Sequence, residues 1–305
     1  MKKKIAILGS TGSIGRTLLK ILYEQKENID IVLLTANKNF KELSNQTKKF
    51  NARNVILTDN KSYSNFKKNN KNKKLNIFRD YNSFNKIFTS KIDYVMSSIV
   101  GIEGLLPTFK IIKFTKKIAI ANKETIICAW NLISNELKKN KTDFIPVDSE
   151  HFSIWYGIKK KNQSNIKKIY LTASGGPLLK VSKKKYNKLK LKEIITHPNW
   201  QMGKKISVDS ATMMNKVFEV IEAKKIFNLP YKKISILIHP KSYVHAIIQF
   251  NDGMINMITH ETTMEIPIFN TLIDITSSGN NLSNKNYIKL NFDKLNNLNL
   301  SQVSS

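Results

Sequence analysis

Short apolar runs alternate with amphipathic stretches along the first half of the chain. Lys4 to Leu8 reads as a short buried strand, Ser13 to Lys26 carries apolar residues at helical spacing, and Asp30 to Thr35 reads as a second strand. Strand, helix and strand in that order make a βαβ unit, whose crossover requires parallel pairing. Further apolar runs at Asn54 to Leu57, Tyr94 to Ser98 and Lys117 to Ala121 continue the alternation. They predict a parallel, doubly wound sheet with right-handed crossovers, an α/β class.

The pattern changes near Asp143, where Phe144-Ile145-Pro146-Val147 leads into Asp148-Ser149-Glu150-His151. Beyond that point Ile166 to Ala173, Ile234 to His239 and Tyr243 to Asn251 read as strands. Asp252-Gly253 marks a hairpin turn, and Met254 to Thr259 is the return strand. An α+β domain with a mainly antiparallel sheet follows. The expected division is residues 1–147, residues 148–284, and a linker-like tail over 285–305 that is rich in Asn and Leu.

A length of 305 residues suits two domains, and an apolar fraction of 41% is adequate for their cores. No apolar run approaches the roughly 18 residues of a membrane span. Met1-Lys-Lys-Lys4 is followed by too few apolar residues for an export signal. Cys128 is the only cysteine, so neither an intrachain disulfide nor a thiolate zinc cluster can form, and a cytoplasmic location is expected. The net charge of +29 raises the question of a polyanion partner. Only Arg16, Arg53 and Arg79 are arginine, however, and Arg is the side chain favoured for bidentate contacts to phosphates and bases. Lys, Asn and Ile are inflated together, as drift in an AT-rich coding sequence produces. No specific nucleic-acid partner is expected, and Lys67 to Lys74 reads as a solvated loop.

Several motifs carry chemistry. Gly9-Ser10-Thr11-Gly12-Ser13-Ile14-Gly15 follows a strand and opens a helix. Glycines there let the backbone approach a pyrophosphate, and the helix N-terminus stabilises its charge. A tight structural turn satisfies the same pattern. After the second strand, Ala36-Asn37-Lys38-Asn39 lacks the acid that usually holds the ribose hydroxyls of NAD, and Lys38 suits a 2′-phosphate instead. Asn122-Lys123-Glu124 stands at a strand's C-terminal end, where open α/β sheets bind ligands. Asp148 and Glu150 are hard oxygen donors suited to Mg²⁺ or Mn²⁺, with Glu219 as the natural third. They serve equally as favourable acidic charges in the first turn of a helix. His197 to Glu219 gathers many polar groups. A helix starting near Asp209 or Ser210 would set Asn215 and Glu219 at i, i+4, and Lys216 and Glu219 at i, i+3. Taken alone, that is also a solvated helix with a Ser cap.

Together, Gly9 to Gly15, Asn122 to Glu124, Val147 to His151, Ser174-Gly-Gly-Pro177, and His197 to Glu219 closely resemble the 1-deoxy-D-xylulose 5-phosphate reductoisomerase family in order and spacing. The resemblance runs from Lys4 to about Leu300 and implies a Rossmann-like domain followed by a catalytic one. It implies NADPH- and divalent-metal-dependent rearrangement and reduction of 1-deoxy-D-xylulose 5-phosphate to 2-C-methyl-D-erythritol 4-phosphate, in non-mevalonate isoprenoid synthesis. The phosphorylated sugar would be the small-molecule partner and a second copy the protein partner, with no membrane. By the resemblance Thr11, Gly12, Ser13 and Ile14 hold the NADPH phosphates, and Asn37, Lys38 and Asn39 the 2′-phosphate end. Asn122, Glu124 and Gly203 complete that site. Asp148, Glu150 and Glu219 look like the metal ligands and, with Lys123, the catalytic set. Ser174, His197, Ser210, Asn215 and Lys216 look like substrate ligands, joined by Lys123, Ser149, Glu150 and Glu219. Trp200 and Met202 look like a closing lid.

The sequence departs from the family pattern at three places. Asn37 replaces a common Gly, Val217 replaces a Gly after Asn215-Lys216, and Thr262-Thr263-Met264-Glu265 replaces a Pro-Asp-Met-basic run. Family members also continue into a C-terminal helical domain where this sequence stops. That ending makes an inactive remnant that still binds nucleotide the competing expectation.

Overall fold

The computed structural model describes residues 2–159, 163–179, 181–195, 204–273 and 301–302. The chain forms two compact units. One reaches Val147 and is rejoined by the segment beginning at Pro267, and the other begins at Asp148 and runs to Ile266.

The first unit is built on seven strands, β1 (Lys3–Leu8), β2 (Ile29–Ala36), β3 (Asn54–Leu57), β4 (Asn76–Phe78), β5 (Ile92–Ser97), β6 (Thr115–Ile120) and β7 (Asp143–Pro146). They pair in parallel in the order β4-β3-β2-β1-β5-β6-β7. Ile5, Ala6, Ile7 and Leu8 are fully buried, as a parallel strand covered on both faces requires. Winding runs outward from β1 to β4, then resumes at β5 on the other side of β1. The C-terminal ends of β1 and β5 therefore flank the switch point, where doubly wound sheets form a ligand crevice. The short, half-polar β4 escaped the apolar pattern. Tyr94 on β5 reaches the returning segment, its hydroxyl 2.7 Å from Thr271 Oγ1.

The second unit carries β8 (Ile166–Ala173), β9 (Ile234–Ile238), β10 (Val244–Phe250), β11 (Ile255–Thr259) and β12 (Ser301–Gln302), in the order β11-β10-β8-β9-β12. Among the described pairs of this second sheet, β8 and β9 are parallel and the rest antiparallel. The turn between β10 and β11 uses Gly253 at φ +86°, and Met254 N–H donates to Asp252 Oδ1 at 3.1 Å. Helices Ser149–Ile158 and Met214–Phe227 pack on the sheet through Ile154, Ile158, Ala223 and Phe227 against Ile169, Leu171, Ala246 and Ile248. Each large side chain so buried contributes about 1.5–3 kcal/mol. That core fixes which polar side chains of the two helices meet.

The helix expected to start near Asp209 or Ser210 is replaced by two. Lys204–Ala211 ends, Met213 takes a left-handed φ of +60°, and Met214–Phe227 begins without a side-chain cap. Ser210 therefore lies in the last turn of one helix, its carbonyl accepting from Met213 N–H at 3.2 Å. Lys67 to Asn69 likewise close the helix Asn60–Asn69 and do not belong to a loop.

Candidate active site

In the first unit, Gly9 ends β1 at φ +81°, and a Cβ there would lie 2.9 Å from Ser98 O. A Cβ on Gly15 would lie 2.5 Å from Gly9 O, so only glycine lets the helix Ser13–Tyr23 start this close to the strand. The loop is held from below. Gly9 N–H donates to Thr35 Oγ1 at 2.9 Å, and Ser10 N–H to Thr35 O at 2.9 Å. Gln46 Nε2 donates to Ser10 O at 3.0 Å. No side chain caps the helix that follows, which leaves its first N–H groups for an anion. Thr11, Gly12 and Ile14 are half-buried, while Ser13 is exposed.

Asn37, Lys38 and Asn39 follow β2 and are exposed. Asn37 Nδ2 donates to Thr58 Oγ1 at 2.8 Å, and Asn39 Oδ1 caps the next helix by accepting from Glu42 N–H at 3.2 Å. Asn37 is not among the residues with positive φ, so this position makes no demand for glycine. Asn122, after β6, is buried and caps the helix Lys123–Lys139 through Thr125 N–H. Its Nδ2 donates to Ile99 O and Gly101 O of the loop after β5. Lys123 and Glu124 occupy the helix's first turn. The sequence motifs do not include the loop after β5, yet it exposes Val100 and Ile102, and Leu106 is exposed in the helix Leu105–Ile111 that follows. The loop's signal was available, since Gly101 and Gly104 follow a strand much as Gly9 and Gly12 do.

In the second unit, one carboxylate oxygen from each of Asp148, Glu150 and Glu219 lies within 4.8 Å of the others. Asp148 precedes the helix Ser149–Ile158, which carries Glu150, and Glu219 projects from Met214–Phe227. Lys216 Nζ donates to Glu150 Oε1 at 2.8 Å, pairs with Glu219 Oε2, and donates to the Thr172 carbonyl at the end of β8. Burial pulls the Lys216 ammonium down, but Glu150 and Glu219 outweigh it and push its pKa above the ordinary lysine value. Asn215 Nδ2 donates to Glu219 Oε1, while its buried Oδ1 has no partner. Ser149 Oγ donates to Glu150 Oε2.

The turn Ser174–Pro177 meets the helix Lys204–Ala211. Gly176 N–H donates to Ser174 Oγ at 3.0 Å, and a Cβ on Gly176 would lie 2.4 Å from Ser210 O. Ser174 and Ser210 are thus brought together by a residue that must be glycine, at φ +69°. Val217 is 48% exposed, so its branched side chain faces solvent and displaces nothing in the core. Thr263 Oγ1 accepts from Glu265 N–H at 3.2 Å and starts the short helix Glu265–Asn270. His197, Trp200, Met202 and Gly203 lie outside the described residues.

Residues 5–130 match the family described as 1-deoxy-D-xylulose 5-phosphate reductoisomerase, and residues 144–227 match its C-terminal domain. The chain belongs to the 1-deoxy-D-xylulose 5-phosphate reductoisomerase family. The reductoisomerase of Pelagibacter ubique is 56% identical over 305 residues, covering 99% of this chain and 77% of its own length. The solved reductoisomerase from Zymomonas mobilis in complex with NADPH superimposes with a TM-score of 0.88 at 30% identity, covering 100% of this chain and 78% of that one. A reductoisomerase structure in complex with NADPH, fosmidomycin and magnesium gives 0.83 at 31% identity, covering 96% and 77%. Family membership supports the reductoisomerase reading. The matched region spans both units.

Proposed function

We propose that this chain converts 1-deoxy-D-xylulose 5-phosphate to 2-C-methyl-D-erythritol 4-phosphate, using NADPH and a divalent cation. The observation that carries the reading is the convergence of Asp148, Glu150 and Glu219 oxygens within 4.8 Å, in a chain of this family. All three are hard oxygen donors, which suit Mg²⁺ or Mn²⁺. When bound, such an ion supplies Lewis-acid stabilisation of charge developing on substrate oxygens. Asn215, with a free buried Oδ1 and its Nδ2 on Glu219, holds that carboxylate in place. Lys216 offsets part of the cluster's negative charge and offers a further cation to substrate oxygens.

Ser174, Ser210 and the first turn of Met214–Phe227 supply donors for the substrate phosphate, with His197 assigned there by the family pattern. Binding energy from that remote group fixes the reacting carbons. Lys123 and Ser149 are assigned to the substrate's oxygenated carbons on the same ground. Thr11, Gly12, Ser13 and Ile14 take the NADPH phosphates, and Asn37, Lys38 and Asn39 its 2′-phosphate. Asn122 acts by fixing the loop that exposes Val100 and Ile102, while Glu124 and Gly203 complete the pocket. NADPH supplies the hydride when bound.

We also infer a cytoplasmic homodimer, the location supported by the single cysteine and the dimer by the exposed edge strand β11. No described helix is long and apolar enough to cross a membrane.

The test is NADPH consumption by this 305-residue chain. Turnover should require 1-deoxy-D-xylulose 5-phosphate together with Mg²⁺ or Mn²⁺, and Glu219→Gln should abolish it while NADPH still binds. NADPH binding without turnover under those conditions would establish the inactive remnant instead.

A further inference from the structure

Gln46 lies on the helix Phe40–Phe50, is 5% exposed, and braces the glycine loop of the first unit. Its Nε2 donates to Ser10 O at 3.0 Å and to Glu42 Oε1 at 3.0 Å. A carbonyl and a carboxylate only accept, so the amide must present its NH₂ group to both. Its Oε1 is then buried with no partner among the described residues. An unsatisfied amide oxygen in the interior is destabilising. A methionine of similar length would fill the space without that penalty, so packing alone does not account for an amide here.

The bond matters for what lies across the peptide from the Ser10 carbonyl. Gly9 N–H and Ser10 N–H are both taken by Thr35, Gly12 N–H donates to Gly9 O at 3.1 Å, and Ser10 O is taken by Gln46. The peptide joining Ser10 to Thr11 is trans and planar, so its C=O and N–H point in opposite directions. Fixing Ser10 O on Gln46 therefore turns Thr11 N–H away from the helix Phe40–Phe50. Thr11 N–H donates to no described residue, and it stands two residues ahead of the helix Ser13–Tyr23, whose N-terminus has no side-chain cap. Backbone N–H groups gathered in this way form an anion-binding concavity. We propose that Gln46 is a positioning residue for the dinucleotide, holding the Ser10 carbonyl so that Thr11 N–H faces the cofactor pyrophosphate. This rests on the assignment of Thr11, Gly12, Ser13 and Ile14 to the NADPH phosphates.

The experiment measures NADPH affinity by fluorescence titration in the full chain, beside adenosine 2′-phosphate, which lacks the pyrophosphate, and Mn²⁺, which reports on the second unit. Gln46→Met should raise the NADPH Kd about 10-fold, the scale of one hydrogen bond to a charged group. Affinities for adenosine 2′-phosphate and Mn²⁺ should stay at the parent's values. In turnover the KM for NADPH should rise while kcat holds near the parent's, because the substitution lies at the phosphates and not at the reacting carbons. An unchanged NADPH Kd in the folded variant would overturn the proposal. So would equal losses for NADPH and adenosine 2′-phosphate, which would show the helix Phe40–Phe50 to be disturbed and not the pyrophosphate loop. If Gln46→Met does not fold, Gln46→Asn keeps a polar amide but withdraws it by one methylene from Ser10 O. It should raise the NADPH Kd in the same selective way, and a parent-like value would be equally decisive against the idea. Absence of NADPH binding by the unsubstituted chain would instead remove the cofactor assignment itself.

Discussion

Lys216 shows how one side chain can be read at two depths. The i, i+3 spacing to Glu219 is visible in the sequence, but on an exposed helix that pair is worth little. Burial changes its weight, because Lys216 is 5% exposed and Glu219 only 1%. Replacing Lys216 with Met leaves Glu150 and Glu219 facing each other without that cation, and should cost about 3 kcal/mol of stability in metal-free protein. Chemical denaturation with and without Mn²⁺ checks this, since added metal should restore more stability to the variant than to the parent. Neither Glu150 nor Thr172, the other partners of the ammonium, could be assigned to Lys216 from sequence distance. His245 and His260 extend the residue-scale argument to pH. Their rings are buried and stacked, with centroids 3.6 Å apart. Burial pulls both below the ordinary imidazole value of 6.5, and for His245 the neighbouring His260 adds to it. Above pH 6.5 both rings are neutral in folded and unfolded chains alike, so the full stability is present. As pH falls below that value the unfolded chain takes up protons that the folded chain refuses, and stability is lost down to the folded pKa values. The unfolding midpoint should therefore fall on mild acidification. His260→Phe, which keeps a stacked ring but removes one proton site, should flatten the fall.

Among the elements, those with strong apolar periodicity were legible and those shaped by backbone conformation were not. Asn54–Leu57 and Ile166–Ala173 match the sequence reading to the residue, because short stretches rich in apolar and β-branched residues mark strands even where Lys167 and Lys168 interrupt one. The break at Thr212-Met213 was missed because methionine carries no signal for a left-handed φ. That break moves Ser210 from the start of one helix to the end of another. It reaches the site because Gly176 packs on its carbonyl, and the glycine pair in Ser174 to Pro177 was visible while its packing partner was not. Gly176→Ala should strain this contact twice, through its positive φ and through a Cβ 2.4 Å from Ser210 O. Strain of about 1–3 kcal/mol is expected, relieved by moving the turn away from Ser210. Substrate KM should rise accordingly, while Mn²⁺ and NADPH affinities stay near the parent's. Equal losses in all three would show general unfolding and defeat the account of the turn.

For the whole molecule, surface character matters more than any single ligand. The net charge of +29 is large, yet the described surface spreads lysines over many elements, and long-range repulsion of that kind is screened by salt. One apolar stretch lies on β11, at the edge of the second sheet among the described strands. It exposes Ile255 by 56% and Met257 by 40%, beside Met254 at 58%. An edge strand presents unpaired N–H and C=O groups, and soluble proteins usually blunt such edges with charge, bulges or cover. β11 itself, Ile255-Asn256-Met257-Ile258-Thr259, carries no charged residue to do so. A second copy adding its own edge would satisfy both the backbone groups and the apolar side chains. Met257→Lys places an ammonium on that face and should shift the inferred dimer to monomer in sedimentation velocity, most completely at low salt where like charges repel furthest. Glu150 and Glu219 are held by the packing of their helices on the sheet and Asp148 sits at the start of the first of them, so the monomeric variant should keep the parent's Mn²⁺ affinity. A parent chain that sediments as a monomer would dispose of the dimer and leave β11 covered in some other way.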